Sequence, residues 1–184
     1  MKNWVAPEPP VFPAGPFAVD GVHYTRQRQG WIDVLERAPG RLNRLASGLS
    51  VEQLDTTYRN WTIRQIVHHL ADSHLNLYVH FKLALTEEQP TIKPYDESRW
   101  PLLADARQMD IAPSEQIFSG VHARWAHLLQ FLEPHDFEHT FYHPANQEVT
   151  PLWRALAYYA WHANHHMTQI AWVREHKLRR GKEQ

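Results

Sequence analysis

The chain has 184 residues, no cysteine and a formal net charge of -1, with 43% hydrophobic and 21% charged residues. That length makes one domain the natural reading and leaves room for a full core. The composition excludes disulfides, thiolate metal sites and a cysteine nucleophile, and it gives no overall positive field to draw nucleic acid or an acidic membrane surface.

The N-terminal stretch "MKNWVAPEPPVFPAGPF" lacks the apolar segment of a signal peptide. No run approaches the roughly 18 apolar residues of a membrane span. Together with the missing cysteines this suits a cytoplasmic protein. Residues 1–20 carry Pro7, Pro9, Pro10, Pro13 and Pro16, which predicts an extended arm. Trp4, Phe12 and Phe17 supply rings to lay against the body, a single domain over 21–184.

The first helical pattern is Trp31, Leu35, Ala38, Leu42, Leu45 and Leu49, stepping by three and four. Pro39 interrupts it, so a kink or two abutting helices is expected. Ser50 starts a short turn through Leu54. The second helix opens with a capping box, Thr62 with Gln65 three residues on, and runs to about Leu85. A long loop with Pro90, Pro94 and Pro101 follows, and loops of that length often carry function. Ser114 can cap a third helix with the stripe Ile117, Val121, Trp125, Leu128 and Leu132. "HTFYHPANQEVT" forms either a small hairpin or an irregular excursion. Thr150 as cap and Pro151 at the first helical position then open a fourth helix to about His176. Arg174, Lys177, Arg179 and Arg180 cluster at its end, where cations suit the helix dipole. Four amphipathic helices with one long crossover read as an all-α four-helix bundle with next to no strand.

"YYAWHANHHMTQIAW", residues 158–172, places three histidines on an apolar helix. Burying imidazole nitrogens without partners costs free energy. Leu156, Tyr159, Ala163, His166, Ile170 and Val173 form the core stripe. His162, four residues before His166, points the same way, so the two rings can share a metal ion. His165 competes with His166 as the partner of His162, because a spacing of three is also allowed. A catalytic metal usually takes three protein ligands. The second helix offers His68, His69 and His74 in "HHLADSH". His69 can face inward, whereas His68 shares a side with Arg64 and Asp72 that reads as solvent-facing.

"NWTIRQIVHHLADSHLNLYVHFKLALTEEQPTIKPYDE" and "YAWHANHHMTQI" resemble the YfiT branch of the DinB-like superfamily, and the likeness covers most of the chain. The resemblance implies a four-helix bundle and a divalent metal, one per subunit, held by His69, His162 and His166. It thereby selects His166 over His165, which becomes a residue behind the ligands or at the surface. It also implies a cytoplasmic homodimer and a metal-dependent hydrolase. Some relatives are thiol S-transferases of the bacillithiol-transferase kind.

An ion held by three neutral imidazoles keeps its full charge, which acidifies water and polarises a carbonyl. Attack of activated water on an amide or ester of a small molecule is the simplest reaction. Transfer of an external thiol to an electrophile is the alternative, and a metal-stabilised binding module without catalysis the second. Zinc is the expected metal, with nickel the other candidate. Asp72, Asp96, Glu97 and Glu148 are general-base candidates by chemistry alone. The expected partner is a small molecule, with neither nucleic acid nor a membrane involved.

Overall fold

A computed structural model describes residues 6–21 and 23–178. Trp4, Arg179 and Arg180 lie outside the described residues. Residues 6–21 form no helix or strand. The arm is tied down by side chains of the body: Trp161 Nε1 donates to the Gly15 carbonyl at 2.9 Å, Arg59 to that of Pro9, and the Tyr58 hydroxyl to that of Pro10.

Helix α1 spans Tyr24–Ala46 without a break at Pro39, so the two-helix alternative does not hold. Proline has no N–H, which leaves the carbonyl four residues back, that of Leu35, without its helical donor. The gap is filled from another helix: His122 Nδ1 lies 2.6 Å from the Leu35 oxygen. Helix α2, Val51–Leu54, has a complete Ser50–Gln53 capping box.

Strands β1 (Thr57–Tyr58) and β2 (Trp61–Thr62) form a ribbon closed by Arg59 and Asn60, with Arg59 at φ 48°. Helix α3, Ile63–Thr86, starts directly from this ribbon. Both hydrogen bonds of its Thr62–Gln65 capping box are present.

The crossover returns through a short 3₁₀ turn, Trp100–Leu102, and α4, Ala104–Gln108. Helix α5 begins at Ala112, earlier than expected. Ser114 therefore lies within its first turn rather than capping it, and its Oγ is 2.7 Å from His68 Nδ1. The buried face of α5 is Ser114, Phe118, Val121, His122, Trp125, Ala126 and Leu129, while Ile117 is exposed. The apolar stripe read from sequence is rotated because two polar residues, Ser114 and His122, belong to the buried face.

Strands β3 (Thr140–His143) and β4 (Glu148–Pro151) make a hairpin, and Ile92 and Pro90 of the crossover bond to Tyr142 beside it. The structure thus holds two small ribbons where almost no strand was expected. Thr150 pairs with Phe141 in the hairpin, and Pro151 is the N-cap of α6, Leu152–Val173, so both sit one step before their expected roles. The helix ends in a wider π turn, Arg174–Leu178. There Arg174 and Lys177 donate to the carbonyls of Leu45 and Thr57 on neighbouring elements.

The four long helices close a ring in which α1 packs on α5 and α6, and α3 packs on the same two. Two apolar clusters fill it. One gathers Leu42, Ile66, Phe118, Met167 and Ile170; the other gathers Leu35, Phe81, Trp125, Leu152 and Leu156. On α3 the first ends at Ala71 and the second begins at Leu77; on α6 they meet between Tyr159 and Ala163. His74 and His162 fall at this seam. The polar layer of the bundle therefore sits at mid-height between two greasy halves.

Candidate metal centre

Helices α3 and α6 are ring neighbours, and His69 of one meets His162 and His166 of the other. Nε2 of His162 lies 3.1 Å from Nε2 of His69 and 3.1 Å from Nε2 of His166. The candidate ligand nitrogens of the three all fall within 4.8 Å of one another. Two nitrogens bound tetrahedrally to one zinc at about 2.0–2.1 Å are separated by about 3.4 Å, so the group could hold a shared ion.

All three rings are buried. Burial holds the pKa of His69 down to about 4. It holds those of His162 and His166 well below the ordinary histidine value, with repulsion from neighbouring rings adding to it. The rings are therefore neutral near pH 7, the form that binds metal. His166 Nδ1 lies 2.8 Å from the Gln169 amide oxygen. That oxygen only accepts, so the His166 proton is on Nδ1 and Nε2 keeps a lone pair. Gln169 was not singled out from sequence, although its position three residues after His166 offered the signal.

His165 is buried but is not one of the converging group. Its Nε2 is 2.9 Å from Gln169 Nε2, and its ring stacks on Trp161. His68 departs from expectation. It is buried, as is Arg64 beside it, because the crossover covers this side of α3. Gln65 Nε2 donates to the Pro101 carbonyl, and Arg64 donates to the Met109 carbonyl and to Asp55.

Two buried histidines continue the polar layer beyond the three. His74 Nε2 is 3.3 Å from His162 Nδ1, and His74 Nδ1 is 3.0 Å from Nε2 of His122 on α5. His122 was not singled out from sequence. Its spacing of four from Phe118 and three from Trp125 is the signal that it shares their buried face.

Trp61 forms a wall. Its ring centroid is 4.7 Å from that of His69 and stacks over His166 at 6.0 Å. Tyr159 packs against His74 and His162. Among the carboxylates, Asp96 is engaged with Ser98 and Arg99, and Glu148 with Arg154. Asp72, one turn after His69, is half-buried, and burial with the nearby Asp105 raises its pKa to about 6. Surface clefts of about 540 and 380 Å³ lie elsewhere, by Leu85–Gln89 and between α1 and α5. Neither is lined by a member of the triad.

A ring of four helices enclosing three converging histidines defines a histidine-centred four-helix-bundle protein. Residues 34–170 match the DinB superfamily, and the chain belongs to that superfamily. It is 46% identical over 146 residues to a Bacillus subtilis protein named "Putative metal-dependent hydrolase YfiT", covering 78% of this chain and 82% of that one. It is 44% identical over 172 residues to a similarly named Bacillus licheniformis protein, covering 92% and 96%. The solved structure of B. subtilis YfiT, described as a probable metal-dependent hydrolase with an unusual four-helix-bundle topology, superposes with a TM-score of 0.85 at 42% identity. That match covers 89% of this chain and 95% of the other. No helix among the described residues is long and apolar enough to cross a membrane.

Proposed function

We propose that this chain is a metal-dependent hydrolase that holds one divalent ion through His69, His162 and His166 and cleaves an amide or ester of a small molecule. The observation that supports this most is the convergence of three buried, neutral imidazoles with their Nε2 atoms 3.1 Å apart in two pairs. Lone pairs so placed repel one another unless a cation or a shared proton lies between them. Similarity to proteins named as metal-dependent hydrolases supports the same reading.

Structural zinc sites take four protein ligands. The group has three members among the described residues, which favours a site open to substrate over a purely structural one. Such an ion, when bound, supplies a Lewis acid that polarises a carbonyl and acidifies water. The chain itself does the rest. Gln169 fixes the His166 ring, Trp61 shields His69 and His166 on one side, and burial of the rings keeps protons from competing for them. Zinc is the ion we assign, on the precedent of three-ligand catalytic zinc sites, with nickel the alternative that imidazole donors also suit.

The test is turnover of an amide and ester panel by untagged, zinc-loaded protein, with and without a small thiol. Hydrolysis that needs metal but no thiol supports the reading. Consumption of an electrophile only when thiol is added would replace it with thiol transfer. The chain has no cysteine, so that thiol would come from outside.

A further inference from the structure

The mid-helix proline of α1 and the two histidines beyond the triad belong to one hydrogen-bonded line. Pro39 leaves the Leu35 carbonyl without a helical donor, and His122 Nδ1 lies 2.6 Å from that oxygen. A carbonyl only accepts, so His122 carries its proton on Nδ1 and, as a neutral ring, a lone pair on Nε2. His74 and His122 are 0% and 1% exposed. The hydrogen bonds they make among the described residues are to each other, to His162 and to a backbone carbonyl, never to a carboxylate. Such surroundings favour neutral rings.

The rest follows in sequence. His122 Nε2 accepts from His74 Nδ1 at 3.0 Å, and His74 Nε2 accepts from His162 Nδ1 at 3.3 Å. His162 Nε2 is left with its lone pair, facing Nε2 of His69 and of His166. Each tautomer is set by the one before it, and the first is set by a backbone oxygen. The line passes from α1 to α5 to α3 to α6, crossing three of the ring's four interfaces in turn.

We propose that His74 and His122 are positioning residues that, anchored on the Leu35 carbonyl freed by Pro39, hold His162 in the Nδ1–H tautomer and so present Nε2 as a metal donor. Free histidine favours the opposite tautomer, with its proton on Nε2, which would turn that ligand atom into a donor of hydrogen bonds. The line is an orienting device and not a proton path, because it ends on a carbonyl that has no proton to give. Partners of this kind behind a ligand typically alter metal affinity 10–100-fold. The proposal rests on the reading of the triad as a metal site, and its primary readout does not.

The experiment is two-bond ¹H–¹⁵N correlation NMR of histidine-labelled protein in chelator, with the His162 signals assigned by His162→Gln. The expected wild-type result is the Nδ1–H tautomer at His162. His122→Phe keeps the volume and removes the acceptor, and it should shift His162 towards Nε2–H. His122→Gln, whose amide oxygen can take the place of Nε2, should restore the wild-type signal. Zinc titration should then show affinity 10–100-fold weaker for His122→Phe and near wild type for His122→Gln. An Nε2–H tautomer in the wild-type protein overturns the proposal without any variant, as does an unchanged His162 signal in folded His122→Phe. Should His122→Phe not fold, His74→Phe against His74→Gln makes the same comparison. If wild type shows the Nδ1–H tautomer yet binds no zinc, the metal reading fails and the orienting line stands.

Discussion

Acid should dismantle this protein through its histidines before most of its carboxylates are protonated. Burial lowers the pKa of His69 and of His122 from 6.5 to about 4. Each ring is neutral in the native state and charged in the unfolded chain across that interval. The unfolded state then binds more protons, so stability falls as pH falls, from about 6.5 down through about 4. At 1.36 kcal/mol per pKa unit, each ring accounts for on the order of 3 kcal/mol. The two together give a slope of about 2 kcal/mol per pH unit averaged between pH 6.5 and 5, because the unfolded rings are only half protonated at 6.5. His74, His162 and His166 are lowered further and add with the same sign. Asp72 opposes them, since its raised pKa makes the native state gain a proton first below about 6. It is one partly solvated group against five buried rings. A domain with about 5–15 kcal/mol to lose should be largely unfolded by about pH 5 in the absence of metal. Urea titrations in chelator at half-unit steps from pH 7.5 to 4.5 measure the slope. A value below about 1 kcal/mol per pH unit between pH 6.5 and 5 would refute the reasoning, because it would mean that the buried rings are charged in the native state or solvated.

His69→Ala, His162→Ala and His166→Ala should each lose most bound zinc by elemental analysis, while His165→Ala retains it; the reverse pattern for His165 and His166 would show the ligand set to be wrong. Trp61 lies against two of the triad rings, so titrating copper(II) should quench part of the tryptophan emission. Trp61→Phe should remove that part, and equal quenching in both proteins would place the ion elsewhere. Thr62→Ala deletes the side-chain acceptor for Gln65 N and should cost about 1 kcal/mol, read as a lower urea midpoint at unchanged slope.

Features carried by local spacing could be read in the sequence. The Thr62–Gln65 box is a three-residue pattern, and it starts α3 where expected. His162 and His166 lie one turn apart on an apolar face, but spacing left His165 open as the partner; the structure gathers His162 and His166 with His69. Features that depend on distant contacts could not be read. His68 and Arg64 look solvent-facing until the crossover, held by Gln65 and Arg64 themselves, folds over them. The β1–β2 ribbon lacks the Asn-Gly or Asp-Gly pair that signals such a turn; it uses Arg59 at φ 48° instead, so the placement of Trp61 went unread. The two-helix alternative at Pro39 fails because α1 runs through it, with the freed carbonyl met by a side chain 87 residues away.

The three triad histidines also differ in when they are made. His69 and His162 are separated by 93 positions, which a ribosome covers in roughly 5–20 s at about 5–20 residues per second. During that interval α3 exists while its partner helix does not, and His69 faces no second imidazole. The triad thus forms only once α6 has been made. The arm waits longer still, since the Gly15 carbonyl meets Trp161 only after 146 positions. The arm thus docks on the same helix that completes the triad.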